Sequence, residues 1–154
     1  MEIKDLTIKG EYKGDEKLEK RISNFQSYID LLNSRDLDND VIDAINSSID
    51  ELNNFEGSKR KFKLRLMKVR SQVVRHVEKQ SKLVPQNYYR KLWLALGMSV
   101  FGMPIGVVFG TSFGSMAYLG VGLPIGMAVG IAVGASMDKR ALKEGRQLDI
   151  EISS

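Results

Sequence analysis

Leu92–Met137 reads LWLALGMSVFGMPIGVVFGTSFGSMAYLGVGLPIGMAVGIAVGASM and contains no Asp, Glu, Lys, Arg or His. A helix needs about 20 predominantly apolar residues to cross a bilayer. As one helix this stretch would run roughly 69 Å at 1.5 Å per residue, about twice a hydrocarbon core. It is therefore expected to fold as a hairpin of two membrane helices.

The stretch also repeats itself. FGMPIGVVFGTSFG (101–114) and VGLPIGMAVGIAVG (121–134) share six of fourteen positions. The shared residues include the glycine series Gly102, Gly106, Gly110, Gly114 and Gly122, Gly126, Gly130, Gly134, each spaced by four. Such a glycine zipper lets two helix backbones approach closely, which drives helix association in lipid. Because each glycine costs about 1 kcal/mol in helix propensity, eight of them imply a packing role. Two stripes exceed what one hairpin interface requires. One is expected to pack the hairpin and the other to face a neighbouring copy, giving a homo-oligomer. Pro104 and Pro124 each remove a backbone donor and are expected to bend their helices.

The net charge of +4 and the slightly negative mean hydropathy hide a block pattern. Met1–Ser58 carries seven Lys/Arg and fourteen Asp/Glu, Lys59–Lys91 twelve Lys/Arg against Glu78 alone, and Asp138–Ser154 four of each. Cysteine is absent, which excludes disulfides and thiolate metal sites, and His76 is the single histidine. No signal-peptide pattern opens the chain.

Before the apolar block the periodicity is helical. Ile3, Leu6 and Ile8 suggest a short strand. Leu18, Ile22, Phe25, Ile29 and Leu32 predict a helix over 15–35. Ile42, Ile45, Ile49, Leu52 and Phe55 predict a second over 39–55. Phe62, Leu66, Val69, Val73 and Val77 predict a third over 59–83, ended or kinked by Pro85. On the opposite face of that third helix fall Lys61, Arg65, Lys68, Arg75 and Lys79, the candidate ligand-binding residues for a polyanion. Three readings of this stripe stand: contact with anionic lipid, binding of nucleic acid or nucleotide, and pairing with the acidic first two helices of the same or a neighbouring chain. Phe62, Tyr88 and Tyr89 are aromatic candidates for base stacking.

Tyr88, Tyr89, Arg90, Lys91 and Trp93 suit a membrane interface. Lys/Arg at both outer ends of the hairpin, with none in its loop, put both termini in the cytoplasm. The fold expected is an all-α membrane protein: a cytosolic domain of about three helices (1–86), a transmembrane hairpin (87–138, with spans 91–113 and 119–137) and a cytosolic tail (139–154). No catalytic constellation, metal site or cofactor motif is present in the sequence pattern. His76 lacks a partner nucleophile, and Asp36, Asp38 and Asp40 lack the glycine and glutamate of a calcium loop. The chain is expected not to be an enzyme.

The stretch GLPIGMAVGIAVGASMDKRALKEGRQLDIEI resembles the carboxyl end of small bacterial glycine-zipper membrane proteins, which implies a glycine-packed membrane hairpin. The overall plan, a charged helical domain on a two-helix oligomeric hairpin, is similar to membrane effectors of bacterial anti-phage systems, notably the channel effectors of the Hailong system. That resemblance implies an oligomeric channel in the bacterial inner membrane whose opening kills the cell. It also implies a cytosolic crown that binds single-stranded DNA oligomers or nucleotides, and a partner nucleotidyltransferase that makes them. The alternative is a non-conducting membrane adaptor that recruits a cytosolic protein. A membrane-damaging toxin fits less well, because it would not need the long charged domain.

Overall fold

The computed structural model describes residues 2–7, 12 and 14–152. The chain is mostly helical and divides into two compact units, Met1–Pro85 with Leu148–Ser154, and Gln86–Gln147.

The first unit is built on three helices, α1 (Glu16–Asn33), α2 (Asn39–Asn53) and α3 (Lys59–Ser81). Each begins where the sequence supplies a polar start. Asp15 precedes α1 and its carboxylate accepts from the Leu18 N–H at 3.1 Å, while Glu16 and Glu19 sit in the first turn, where the helix dipole favours negative charge. The apolar stripes meet in one core: Leu18, Phe25, Ile29 and Leu32 of α1, Ile45 and Ile49 of α2, and Phe62, Leu66, Val69 and Val77 of α3 are almost wholly buried. Phe62 stacks on Tyr12 at 4.3 Å between ring centroids, and Phe55 packs against its side. The Tyr12 hydroxyl donates to the Gly57 carbonyl at 3.0 Å, tying the start of the chain to the α2–α3 turn.

Residues 2–7 belong to no helix or strand, and among the described residues they pair with no strand. Side-chain amides of α1 and α2 hold their backbone instead. Asn33 accepts from the Ile3 N–H (2.9 Å) and donates to the Ile3 carbonyl (3.2 Å). Asn46 accepts from Lys4 (2.8 Å) and donates to Glu2 (3.2 Å). Asn53 accepts from Thr7 (2.8 Å) and donates to Asp5 (3.1 Å). Gln26 accepts from the Leu6 N–H at 2.9 Å. In place of the strand expected from Ile3, Leu6 and Ile8, residues 2–7 form an irregular arm, and Ile8 lies outside the described residues.

Pro85 is not what ends α3. Lys82 does so, adopting the left-handed conformation (φ 59°) with its N–H bonded to the Glu78 carbonyl. Pro85 falls in a two-residue strand, β1 (Val84–Pro85), which pairs with β2 (Gln147–Leu148). Buried Leu148 and a bond from the Asn24 side-chain amide to the Glu151 carbonyl (3.1 Å) bring the carboxyl end of the chain back into the first unit.

The second unit contains two long helical runs. The first joins α4 (Tyr88–Leu96), a π-turn (Gly97–Gly102) and α5 (Met103–Ser112), and the second is α6 (Leu119–Lys143). Both are long and apolar enough to cross a membrane, over Tyr88–Ser112 and Gly120–Lys143. Gly114, with φ +64°, and a 3₁₀ turn at Met116–Tyr118 reverse the chain between them. Pro104 stands in the first turn of α5, just past the π-turn. Pro124 lies within an α6 that continues through it.

Candidate functional site

α3 is two-faced, and its apolar face decides where its charges go. With Phe62, Leu66, Val69, Val73 and Val77 turned inward, Lys61, Lys68, Arg75 and Lys79 stand exposed on the outside. Their steps of seven, seven and four keep them nearly in line along the helix. At 1.5 Å per residue the row is about 27 Å long. Among the described residues these four charged tips have no ion pair. Arg65, the fifth cation expected on this face, is bound to Glu51 of α2 and half-exposed. Pairing with the acidic helices therefore accounts for one of the five. A further cation of α3, Arg70, turns into the core at 6% exposure. Burial pushes its guanidinium below its ordinary value, and nearby Arg21 adds to the effect. Phe62 stacks in the core and is closed to a nucleic-acid base.

His76 is half-buried and lies at the junction of two open clefts between α2 and α3. One, of about 280 Å³, is lined by Ser48 and Gln72, and the other, of about 390 Å³, by Asp38, Asp40 and Gln80.

The glycine series form one seam inside the second unit. Gly122 packs against the backbone of Gly102 and Gly106, Gly126 against Gly97 and Gly102, Gly130 against Trp93 and Gly97, and Gly134 against Tyr89 and Arg90. Partner numbers fall as α6 advances, so the two runs are antiparallel. A Cβ built on Gly134 would stand 2.5 Å from the Arg90 Cα, and one on Gly122 would stand 2.6 Å from the Gly106 Cα; real side chains essentially never come that close. Gly106 and Gly110 are buried as well. Glycines of both repeats thus contribute to this one seam within the chain. Gly114 lies apart, in the turn, with no atom within 4 Å of a Cβ built on it.

Two features of this seam were not visible in the repeat. One is Gly97, five residues before Gly102 instead of four. The π-turn absorbs the extra residue through a bond from the Met103 N–H to the Met98 carbonyl, and so keeps Gly97 on the seam. The other is Asp138, which continues the series 122, 126, 130, 134 by one more step of four. It is 7% exposed, and its two carboxylate oxygens accept from the Tyr89 and Arg90 N–H groups, each at 3.0 Å. Asn87, the residue before α4, is left-handed (φ 58°) and its side chain makes no capping bond. A carboxylate from the opposite helix caps α4 in its place. Unbroken continuation of the four-residue spacing into an acid was the available signal. Beyond it, Glu144 binds Arg140 at 2.8 Å and Arg146 at 2.7 Å, which holds its carboxyl below the ordinary value. Arg146 is held above its ordinary value, first by Glu144 and also by a bond to Tyr89.

Outside the seam, Val100, Met103, Val107, Val108, Phe113, Val121, Leu123, Ile125 and Val129 are exposed, a surface of large apolar side chains. Ser99 and Thr111 share that surface, and each returns its hydroxyl to a carbonyl of its own helix, Ala95 and Val107, at 3.0 Å. No protein-family model matches the chain, and no curated protein and no solved structure matches it either.

Proposed function

We propose that the chain is a membrane-anchored polyanion receptor. The helical pair Tyr88–Lys143 crosses the bacterial inner membrane with both termini in the cytoplasm, and the outer face of α3 binds a polyanion, of which single-stranded DNA or a nucleotide is the expected form. The observation that carries this reading is the line of Lys61, Lys68, Arg75 and Lys79, exposed and, among the described residues, without acidic partners beside a domain otherwise rich in acids. A structural helix face would more economically pair such charges with the acids of α1 and α2, as Arg65 does with Glu51.

Binding by these four cations predicts a salt dependence. For a single strand, log K should fall with log[salt] at a slope of about −3 for four phosphate contacts. Anisotropy of a labelled single-stranded oligonucleotide, titrated with the full-length protein in detergent across a salt series, reads this slope. The variant Lys61→Glu/Lys68→Glu/Arg75→Glu/Lys79→Glu should lose at least 100-fold in affinity with unchanged helicity. Absence of binding to oligonucleotide, nucleotide and polyphosphate alike at low salt would end the proposal.

The output of such a receptor has two forms. In the first, copies assemble into an ion channel that the polyanion controls, the effector activity that the architecture resembles. Ser99 and Thr111 on the outer surface then line the conducting path, and a nucleotidyltransferase supplies the ligand. In the second, the protein is a non-conducting adaptor that recruits a cytosolic partner. The second gains support from the glycine seam, which both repeats build within one chain. Ion flux from liposomes holding the purified protein, with and without oligonucleotide, separates them: flux that changes with oligonucleotide belongs to the channel, and none under any condition belongs to the adaptor.

A further inference from the structure

We infer that the cleft between α2 and α3 at His76 is a base-reading pocket. It takes a nucleobase bearing an exocyclic amino group, while the phosphates of the same strand lie on the cation row beside it. The inference rests on the polyanion reading of that row and names what the ligand carries besides phosphate.

The pocket begins from spacing on α3. Gln72, His76 and Gln80 recur at steps of four and form a second row along the helix. At 100° per residue this row lies about 80° around the helix from Lys68, Arg75 and Lys79. Across a helix about 10–12 Å in diameter that is roughly 8 Å, close to the reach from a nucleotide's phosphate to its base. Arg65 falls on the same flank and binds Glu51 of α2, so the flank faces α2. Gln72 and His76 line one cleft with Ser48, and His76 and Gln80 line the other with Asp38, Asn39 and Asp40.

The polar groups of these clefts are uncommitted. Among the described residues the side chains of Asn39, Asp40, Gln72, His76 and Gln80 make no hydrogen bond or ion pair. Asp38 stands at the N-cap of α2, where a carboxylate commonly accepts from the first turn, yet its side chain makes no capping bond. Other amides of the domain are engaged: Gln26, Asn33, Asn46 and Asn53 all hold residues 2–7. No set of three His, Asp or Glu side chains able to hold a metal ion occurs among the described residues, so a metal does not account for the convergence.

Charge then sorts the ligand. Asp38 and Asp40 repel phosphate, which the cations of α3 hold at the mouth of the cleft. An uncharged base can enter, and the cleft favours one whose edge donates. A carboxylate accepts from the N4 amino group of cytosine, and a Gln amide pairs with N6 and N7 of adenine. Thymine presents its O4 acceptor instead, to which a carboxylate has no proton to give.

The full-length protein in detergent is titrated against labelled oligo(dC) and oligo(dT) of equal length across a salt series. Oligo(dC) should bind at least about tenfold tighter at every salt concentration. The two salt slopes should agree, because base contacts release no counterions. Asp38→Asn/Asp40→Asn keeps a capping residue on α2 and should bring the two affinities within about twofold, since an amide can donate to thymine O4. Gln72→Ala/His76→Ala/Gln80→Ala should weaken oligo(dC) at least about fivefold. Inorganic polyphosphate, which has no base, should bind this variant as it binds the parent. All three positions receive the best helix former, and retained polyphosphate binding shows that α3 is intact. Equal affinity of the parent protein for oligo(dC) and oligo(dT) overturns the pocket while the cation row stands. A preference for oligo(dC) that survives both variants overturns it equally. Binding of neither oligonucleotide nor polyphosphate ends the polyanion reading, and the pocket with it.

Discussion

A methyl group at Gly130 would fall on the Trp93 carbonyl, a backbone atom that cannot turn aside. Gly120, on the same helix, has open space around its missing Cβ. Gly120→Ala should therefore stabilise α6 by about 0.5–1 kcal/mol through helix propensity alone. Gly130→Ala should instead force the two runs apart and destabilise by more than that gain, through lost close contact along the seam. Reversible unfolding of the second unit in mixed detergent micelles should show opposite signs for the two variants. Asp15 gives a second test in the first unit. Its bond from the Leu18 N–H holds its carboxyl below the ordinary value of 3.8, so the cap's contribution is present above that pH and is lost as pH falls through the depressed folded value. Asp15→Ala should lower the thermal midpoint near neutrality, and the difference from the parent protein should vanish in acid.

Among the elements, α6 and α4 are joined by a cap that neither helix provides for itself. Asp138→Ala should leave the Tyr89 and Arg90 N–H groups without their acceptor, at about 1–3 kcal/mol for the buried Tyr89 group and less for the part-buried Arg90 group. Asp138→Asn keeps one acceptor oxygen and should recover part of the loss, which an equivalent unfolding series would resolve. This element also marks where reading the sequence stops. α1, α2 and α3 were legible because an apolar residue every three or four positions is dictated by burial, and Leu18, Ile49 and Val77 are indeed fully buried. Asp138 was hidden because an acid beside Lys139 and Arg140 reads as the start of a solvated tail. The amide row was hidden for a different reason. Asn46 and Asn53 look like weak helix formers until a segment 40 or more residues away is laid beside them, and only the fold brings the two together. The π-turn had no sequence signature at all; it follows from a seam that needs Gly97 and Gly102 on one side.

For the whole molecule, the charge blocks and the two apolar runs make one joint prediction about topology. Arg90 and Lys91 stand at the start of the first run, and Lys139, Arg140 and Lys143 at the end of the second, with no charged residue between Leu92 and Met137. Runs of 25 and 24 residues are about 37 and 36 Å long as helices, enough for a hydrocarbon core of about 30 Å. Cations are retained on the cytoplasmic side during insertion, so the Gly114–Tyr118 turn should be the only part to reach the far side. The absence of native cysteine makes this directly readable. Ser58→Cys, in the turn before α3, and Ser115→Cys, between the two runs, are each placed in the full-length protein. In intact spheroplasts a membrane-impermeant maleimide should modify Ser115→Cys and leave Ser58→Cys untouched until the cells are lysed. In inside-out vesicles the order should reverse. Equal labelling of both positions from one side would mean that the pair does not cross. The outer surface of Val107, Val108 and Ile125 would then need a protein partner to cover it, since an apolar face of that size is not stable against water.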